Sequence, residues 1–203
     1  MIDPLDPRQR AALETLASLV APQTYLGGGV AVAVHVRHRR SRDLDLFTPA
    51  DEPVPNPNAL ADPASGLRIL GRSPGTLYLE VHGVPASVLR YRYPLLAPAE
   101  RVPGLPLPVA ALDDLVGMKL SAVAGRGLAR DFWDLHAMLS TRQIPLRSAL
   151  DAFQRKYVTE DIGHVVRSLV YFADAEADPL PDGLTEEHWR KIQADLRAWV
   201  GGL

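Results

Sequence analysis

One stretch, Tyr25 to Phe47, constrains this chain more than any other: YLGGGVAVAVHVRHRRSRDLDLF. It passes from a glycine triplet (Gly27, Gly28, Gly29) through an apolar segment and a basic cluster into an alternation of acids and apolar residues. The last part, Asp43-Leu44-Asp45-Leu46-Phe47, has the period of a strand. Leu44 and Leu46 then belong to a core, while Asp43, Asp45 and Phe47 share the other face. At about 3.3 Å of rise per residue the two aspartate Cα atoms would lie roughly 6.6–7 Å apart. Two carboxylates so spaced can lean onto one hard cation such as Mg²⁺, which takes oxygen ligands. An isolated D-x-D is more often a strand with solvated acids, but here the neighbours weigh the other way. Glycine lets a backbone approach a phosphate closely, and a helix starting at the triplet would aim its N–H groups at the anion.

The composition requires any such anion site to be local. A net charge of −2 gives no overall attraction to nucleic acid. The basic run Arg37, His38, Arg39, Arg40 and Arg42 is the densest charge cluster in the chain. A solvated face is the usual meaning of such a run. Directly before the D-x-D strand, its guanidinium groups instead suit a triphosphate or an RNA end, and Ser41 can add a hydroxyl. The chain has no cysteine, which excludes disulfides and thiolate chemistry. No histidine pair has metal-ligand spacing, which argues against zinc. A length of 203 residues with 47% hydrophobic and 23% charged residues fits one soluble domain or two small lobes. Met1 to Val20 carries charges throughout, unlike a signal peptide, and no apolar run is long enough to span a bilayer. A cytoplasmic location is the expectation.

Read in order, Asp6-Pro7 opens an amphipathic helix with the stripe Ala12, Leu13, Leu16, Leu19 and Val20, stopped by Pro22. Tyr25-Leu26 is a short buried strand. The alternating Val and Ala of Val30 to Val36 favour a strand on propensity alone. Thr48 to Pro63 is too rich in proline for a regular element and reads as an exposed loop. Leu67 to Leu70 is a strand, followed by a turn at Arg72 to Gly75. Thr76 to Val81 and Val84 to Tyr91 form a hairpin about His82-Gly83, with Pro85 placing the second strand at an edge. Pro94 to Pro108 is a second extended connection. From there the pattern is helical, with helices expected over 113–124, 128–140, 145–157, 160–173 and 185–200. The class is α+β: a mixed sheet in residues 1–110 and a helical part in 111–203.

Two helical positions carry chemistry. Leu112, Leu115, Val116 and Val123 make an apolar stripe into which Lys119 falls, so its ammonium either snorkels to water or enters a cleft. On the next helix, Leu128, Phe132, Leu135 and Leu139 are the buried stripe, with Asp131 at its margin and Asp134 further round. Either acid could simply cap the helix or pair with Arg126 and Arg130.

The segments GGGVAVAVHVRHRRSRDLDLF and Asp113 to Leu139 together resemble the AbiEii/AbiGii toxin family of nucleotidyltransferases, in the DNA polymerase β-like superfamily. The resemblance covers most of the first 140 residues, with both motifs in the family's order. It implies a polymerase β-like mixed sheet with helices, a helix rather than a strand after the glycines, and a C-terminal helical part that completes the active-site cleft. It also implies Mg²⁺-dependent transfer of an NMP from an NTP to an acceptor hydroxyl. Asp43 and Asp45 would hold the metal, and Gly28, Gly29, Arg39, Arg40, Ser41 and Lys119 the nucleotide. Asp131 would be a further active-site acid, and Asp134 structural. A type IV toxin–antitoxin setting follows, with an antitoxin protein as partner and tRNA as an acceptor.

One part of the superfamily pattern is missing. The third carboxylate, usual on a later strand, has no counterpart in Val84 to Tyr91, where Ser87 stands about in its place. Of Glu80 and Asp131, Asp131 is expected to substitute, because a family motif falls there and none falls on Glu80. Without either, the alternatives are a catalytically degenerate nucleotide-binding module or, less well supported, a nucleic-acid-binding protein using its arginines.

Overall fold

In the computed structural model, which describes residues 3–55 and 66–203, the chain falls into two compact units, Met1–Ala111 and Leu112–Leu203. Residues 56–63 of the expected proline-rich loop lie outside the described part.

The first unit is built on a mixed sheet. Its strands are β1 (Tyr25–Leu26), β2 (Leu44–Thr48), β3 (Leu67–Ser73), β4 (Thr76–Val81) and β5 (Val84–Arg90), in the order β1-β2-β5-β4-β3. β2 and β5 run parallel and the other pairs antiparallel. Strand period assigns the two faces: Leu44, Leu46, Leu79, Val81, Ala86 and Val88 are buried, whereas Asp45, Phe47, Ser87 and Tyr78 share the more open side. Helix α1 (Pro7–Ala17) packs near β4 and β5 through buried Ala12, Leu13 and Leu16. Leu19 and Val20 are only half-buried, because the helix ends before them at Ala17.

Helix α2 (Gly28–Val36) settles the conflict between propensity and resemblance in favour of the helix. Val30, Ala31, Val32 and Ala33 are all fully buried, so burial on every side outweighs the few tenths of a kcal/mol per residue by which valine disfavours a helix. His82 and Gly83 both have positive φ, the geometry of a two-residue hairpin turn.

Pro85 does not mark an edge: β5 is central, between β2 and β4. Proline is tolerated because Pro85 pairs only with Glu80, and the ladder to β2 starts one residue later, at Ala86. The connection after β5 is tied back to the sheet at Val109, which bridges both Leu26 and Glu100.

The second unit is helical: α3 (Leu112–Gly125), α4 (Ala129–Arg142), α5 (Leu146–Tyr157), α6 (Gly163–Ser168) and α7 (Glu186–Gly201). Four of the five expected helices have these bounds within two residues. The fourth, expected over 160–173, is only α6. Its end tightens into i→i−3 bonds, Val170 to Arg167 and Tyr171 to Ser168, both 3.2 Å. The chain then turns so that Phe172 packs edge-on to Trp189 and beside Phe132.

Candidate active site

The acids of the D-x-D segment differ in setting. Asp43 is exposed immediately before β2, whereas Asp45 is half-buried within it. The Gly27 N–H donates to the Asp45 carbonyl at 2.8 Å, which brings the start of α2 against this strand. Gly28 has φ +62, a left-handed conformation that side chains rarely take. A Cβ at Gly28 would also fall 2.8 Å from Asp45 Cβ and collide with the carboxylate. At Gly29 a Cβ would lie 2.5 Å from Ser41 Oγ and 2.9 Å from Arg39 Nη2. The two glycines therefore make room for the side chains of Asp45, Ser41 and Arg39 at one helix N-terminus. No intrahelical carbonyl can satisfy the first N–H groups of a helix, and its dipole favours an anion there. Hydroxyl, guanidinium, backbone amides and a carboxylate thus meet at one place.

Asp45 also faces its neighbour strand. It is in register with Ser87 of β5, whose Oγ donates to Asp45 Oδ1 at 2.7 Å. Ser87 occupies the register position where the third carboxylate is expected and orients Asp45 instead. Glu80 does not substitute for that carboxylate. It sits on β4, one strand further from β2, where Arg68 donates to both its oxygens at 3.1 and 3.0 Å.

The loop before β2 is held by a residue that lies outside both motifs. Gln9 is buried at position N3 of α1 and completes a capping box with Asp6. Its Oε1 accepts the Asp6 N–H at 3.0 Å, and its Nε2 donates to the carbonyls of Ser41 at 2.7 Å and Arg42 at 3.2 Å. The signal was present in the sequence as Asp6-x-x-Gln9, a capping-box spacing. What the spacing could not reveal is the long-range use of the amide. Arg40 and Arg42 are exposed, and Arg40 lies close enough to Asp3 to help lower its pKa behind the larger effects of the Leu5 N–H and Arg10.

Lys119 and Asp131 meet within the second unit. Lys119 Nζ lies 3.0 Å from Asp131 Oδ1 and 2.7 Å from Asp134 Oδ2, and both acids are fully buried. Arg126 adds a two-point contact to Asp131, at 2.7 Å from Nε and 2.8 Å from Nη2. Burial alone would raise the Asp131 carboxyl, but Arg126 and Lys119 outweigh it and hold its pKa below the ordinary value. Arg126 and not Arg130 is thus the arginine that pairs. A second buried pair, Lys156 with Asp114 at 2.6 Å, joins α5 to α3, and Gly117 leaves room for the Lys156 stem. Among the described residues no three His, Asp or Glu side chains are grouped as a metal site.

The sequence model of the "Nucleotidyl transferase AbiEii toxin, Type IV TA system" family matches residues 56–199. The chain belongs to this family. Its fold class is accordingly that of a nucleotidyltransferase, and the chain is a nucleotidyltransferase of the type IV toxin family. An uncharacterized protein of Aquifex aeolicus (strain VF5) is 34% identical over 192 residues, spanning 93% of this chain and 92% of the relative. Two solved structures share the fold. MenT4, a nucleotidyltransferase toxin from Mycobacterium tuberculosis H37Rv, has a TM-score of 0.63 at 20% identity, covering 96% of this chain and 82% of its own. A protein from H. pylori described as a nucleotidyltransferase has a TM-score of 0.54 at 18% identity, covering 96% and 92%. The family match begins after the glycine turn and β2, so the comparisons leave the roles of individual residues there to be argued from geometry.

Proposed function

We propose that the N-terminal turn of α2 and the start of β2 form the site at which this AbiEii-family chain moves an NMP from an NTP to an acceptor hydroxyl, with tRNA as the acceptor. The observation that carries this is the room left by Gly28 and Gly29, which sets Asp45, Ser41 and Arg39 against one helix N-terminus. Arg39, Ser41 and the first amides of α2 bind the phosphate tail, a guanidinium and oriented N–H groups being matched to phosphate oxygens. Ser87 fixes the Asp45 carboxylate by donating to one oxygen.

Asp43 and Asp45 suit Mg²⁺. This ion is commonly held by one or two carboxylates, with water and substrate phosphates completing its shell. When bound, it supplies charge neutralisation of the triphosphate and alignment of the acceptor hydroxyl. The chain's own residues contribute position and a preset field, which is how phosphoryl-transfer sites achieve most of their rate. The resemblance gives Lys119 the role of phosphate ligand and Asp131 that of a further active-site acid, but both are tied into buried ion pairs with Asp134 and Arg126. Their ion pairs require any such role to be played from a preset, nearly neutral cluster. An antitoxin protein as partner and a cytoplasmic location complete the reading. No described helix is long and apolar enough to cross a membrane.

The test is incubation of the protein with each labelled NTP and total RNA, with and without Mg²⁺. Label should enter RNA only with the metal, and Asp45→Asn should lower the rate by on the order of a hundredfold or more. Full Mg²⁺-dependent activity in Asp45→Asn would refute the assignment.

A further inference from the structure

The open face of the sheet continues past Asp45 into a row of aromatic rings. Phe47 is two residues on from Asp45 along β2 and therefore on the same face, roughly 7 Å away. Tyr25 pairs with Phe47 in register and stacks on it at 5.9 Å between ring centroids. On the other side Tyr91 meets Phe47 edge-on at 5.2 Å, and Tyr93 meets Tyr91 at 5.1 Å. The Tyr91 N–H donates to the Thr48 carbonyl at 2.7 Å, so the tyrosines leave β5 anchored to the end of β2. The row ends in the open: Tyr25 is 2% exposed and Tyr93 is 48% exposed. Arg90 and Arg92 alternate with these tyrosines, and both reach Asp51, which holds the two guanidinium groups side by side at the surface.

We propose that Tyr93 and Tyr91, flanked by Arg90 and Arg92, form a stacking platform for the bases of a single-stranded RNA acceptor. Exposed aromatic faces interleaved with guanidinium groups are the chemistry that binds unpaired bases and their phosphodiester backbone without reading sequence. The place on the strand favours the acceptor over the incoming nucleotide. The glycine turn, Ser41 and Arg39 lie on the N-terminal side of Asp45 and take the phosphate tail, whereas the aromatic row lies on the C-terminal side. In-line transfer sets the attacking hydroxyl opposite the leaving pyrophosphate. Successive rings about 5 Å apart also extend further than one base requires. This inference rests on the nucleotidyltransferase site proposed above, but binding through the platform does not require the site to turn over.

The experiment measures the affinity of the full chain for a fluorescein-labelled single-stranded oligoribonucleotide by anisotropy, and for a labelled NTP in parallel. Tyr93→Ala should weaken the RNA complex by about tenfold or more and leave NTP affinity within about twofold, while Tyr93→Phe retains RNA binding. Arg92→Ala should weaken the RNA complex and flatten its salt dependence. The platform is overturned if wild type does not bind the oligoribonucleotide, or if Tyr93→Ala binds it as wild type does. It is also overturned if only NTP affinity falls, which would give the rings to the incoming base. Loss of transfer in wild type with Tyr93-dependent RNA binding intact would instead refute the catalytic site and keep the platform.

Discussion

Gly28 is the residue on which the site is most exposed to a single substitution. Its positive φ and its contact with Asp45 act together. Gly28→Ala is expected to cost about 1–3 kcal/mol in stability, read by chemical denaturation, and to remove transfer because Asp45 must move. Lys119 offers the converse case. A lysine that merely entered an open cleft could be replaced by methionine at little cost to the fold. With its ammonium between two fully buried carboxylates, the substitution should instead destabilise the chain by about 3 kcal/mol, because two buried charges lose a partner. The double change Lys119→Met with Asp134→Leu should recover part of that loss in a thermal melt. No recovery would mean that the pair is not coupled. The approach of Gly28 to Asp45 and of Gly29 to Ser41 joins residues of one short stretch, which a local motif can suggest. The partners of Asp131 and Asp114 were not legible in the sequence, because burial joins residues that sequence distance separates.

Among the elements, α1 gives the site its footing. Gln9 joins the first turn of α1 to the two carbonyls before β2, and Thr15 Oγ1 meets His82 Nε2 at 2.9 Å beside the hairpin. Gln9→Ala should remove half the capping box and two long-range hydrogen bonds, a loss of about 1–2 kcal/mol. It should also raise KM for the nucleotide more than it lowers kcat, since Ser41 is loosened while Asp45 stays on its strand. Equal KM values for variant and wild type would refute this positioning role. Strand and helix order was readable wherever period and caps agreed, as at Asp6-Pro7 and His82-Gly83. Propensity alone pointed to a strand at Val30–Val36, where the resemblance and the burial of Val30 to Ala33 give a helix, and the edge expected from Pro85 failed because the proline sits one residue ahead of the ladder that it would break. The shortened α6 carried no stop signal, because packing of Phe172 rather than a proline or glycine turns the chain there.

Across the whole molecule, stability should depend on pH through groups in the second unit. The Asp131 pKa is lowered despite burial, by Arg126 and Lys119, and that of Asp195 is lowered despite burial, by Lys191 and His136. Each therefore contributes stability above its unfolded value near 3.8, lost as pH falls through the lower folded value. His136 is shifted down by burial, against the pull of Asp195, so its neutral form is the folded one. The unfolded chain then binds the extra proton below about 6.5, and stability should start to fall there. Melts from pH 8 down to pH 3 should show a shallow decline below pH 6.5 and a steeper one below pH 4, with His136→Gln removing the first phase. A flat profile down to pH 4 would contradict the burial effect at His136. The division of the chain into a sheet unit and a helical unit was legible in the switch of hydrophobic period after Pro108, since α3 starts at Leu112. The clasp that α1 places on Ser41 and Arg42 also has a consequence for the site. Without Gln9 the carbonyls of Ser41 and Arg42 lose their tie to α1, so the loop before β2 loosens while Asp43 and Asp45 stay in the chain.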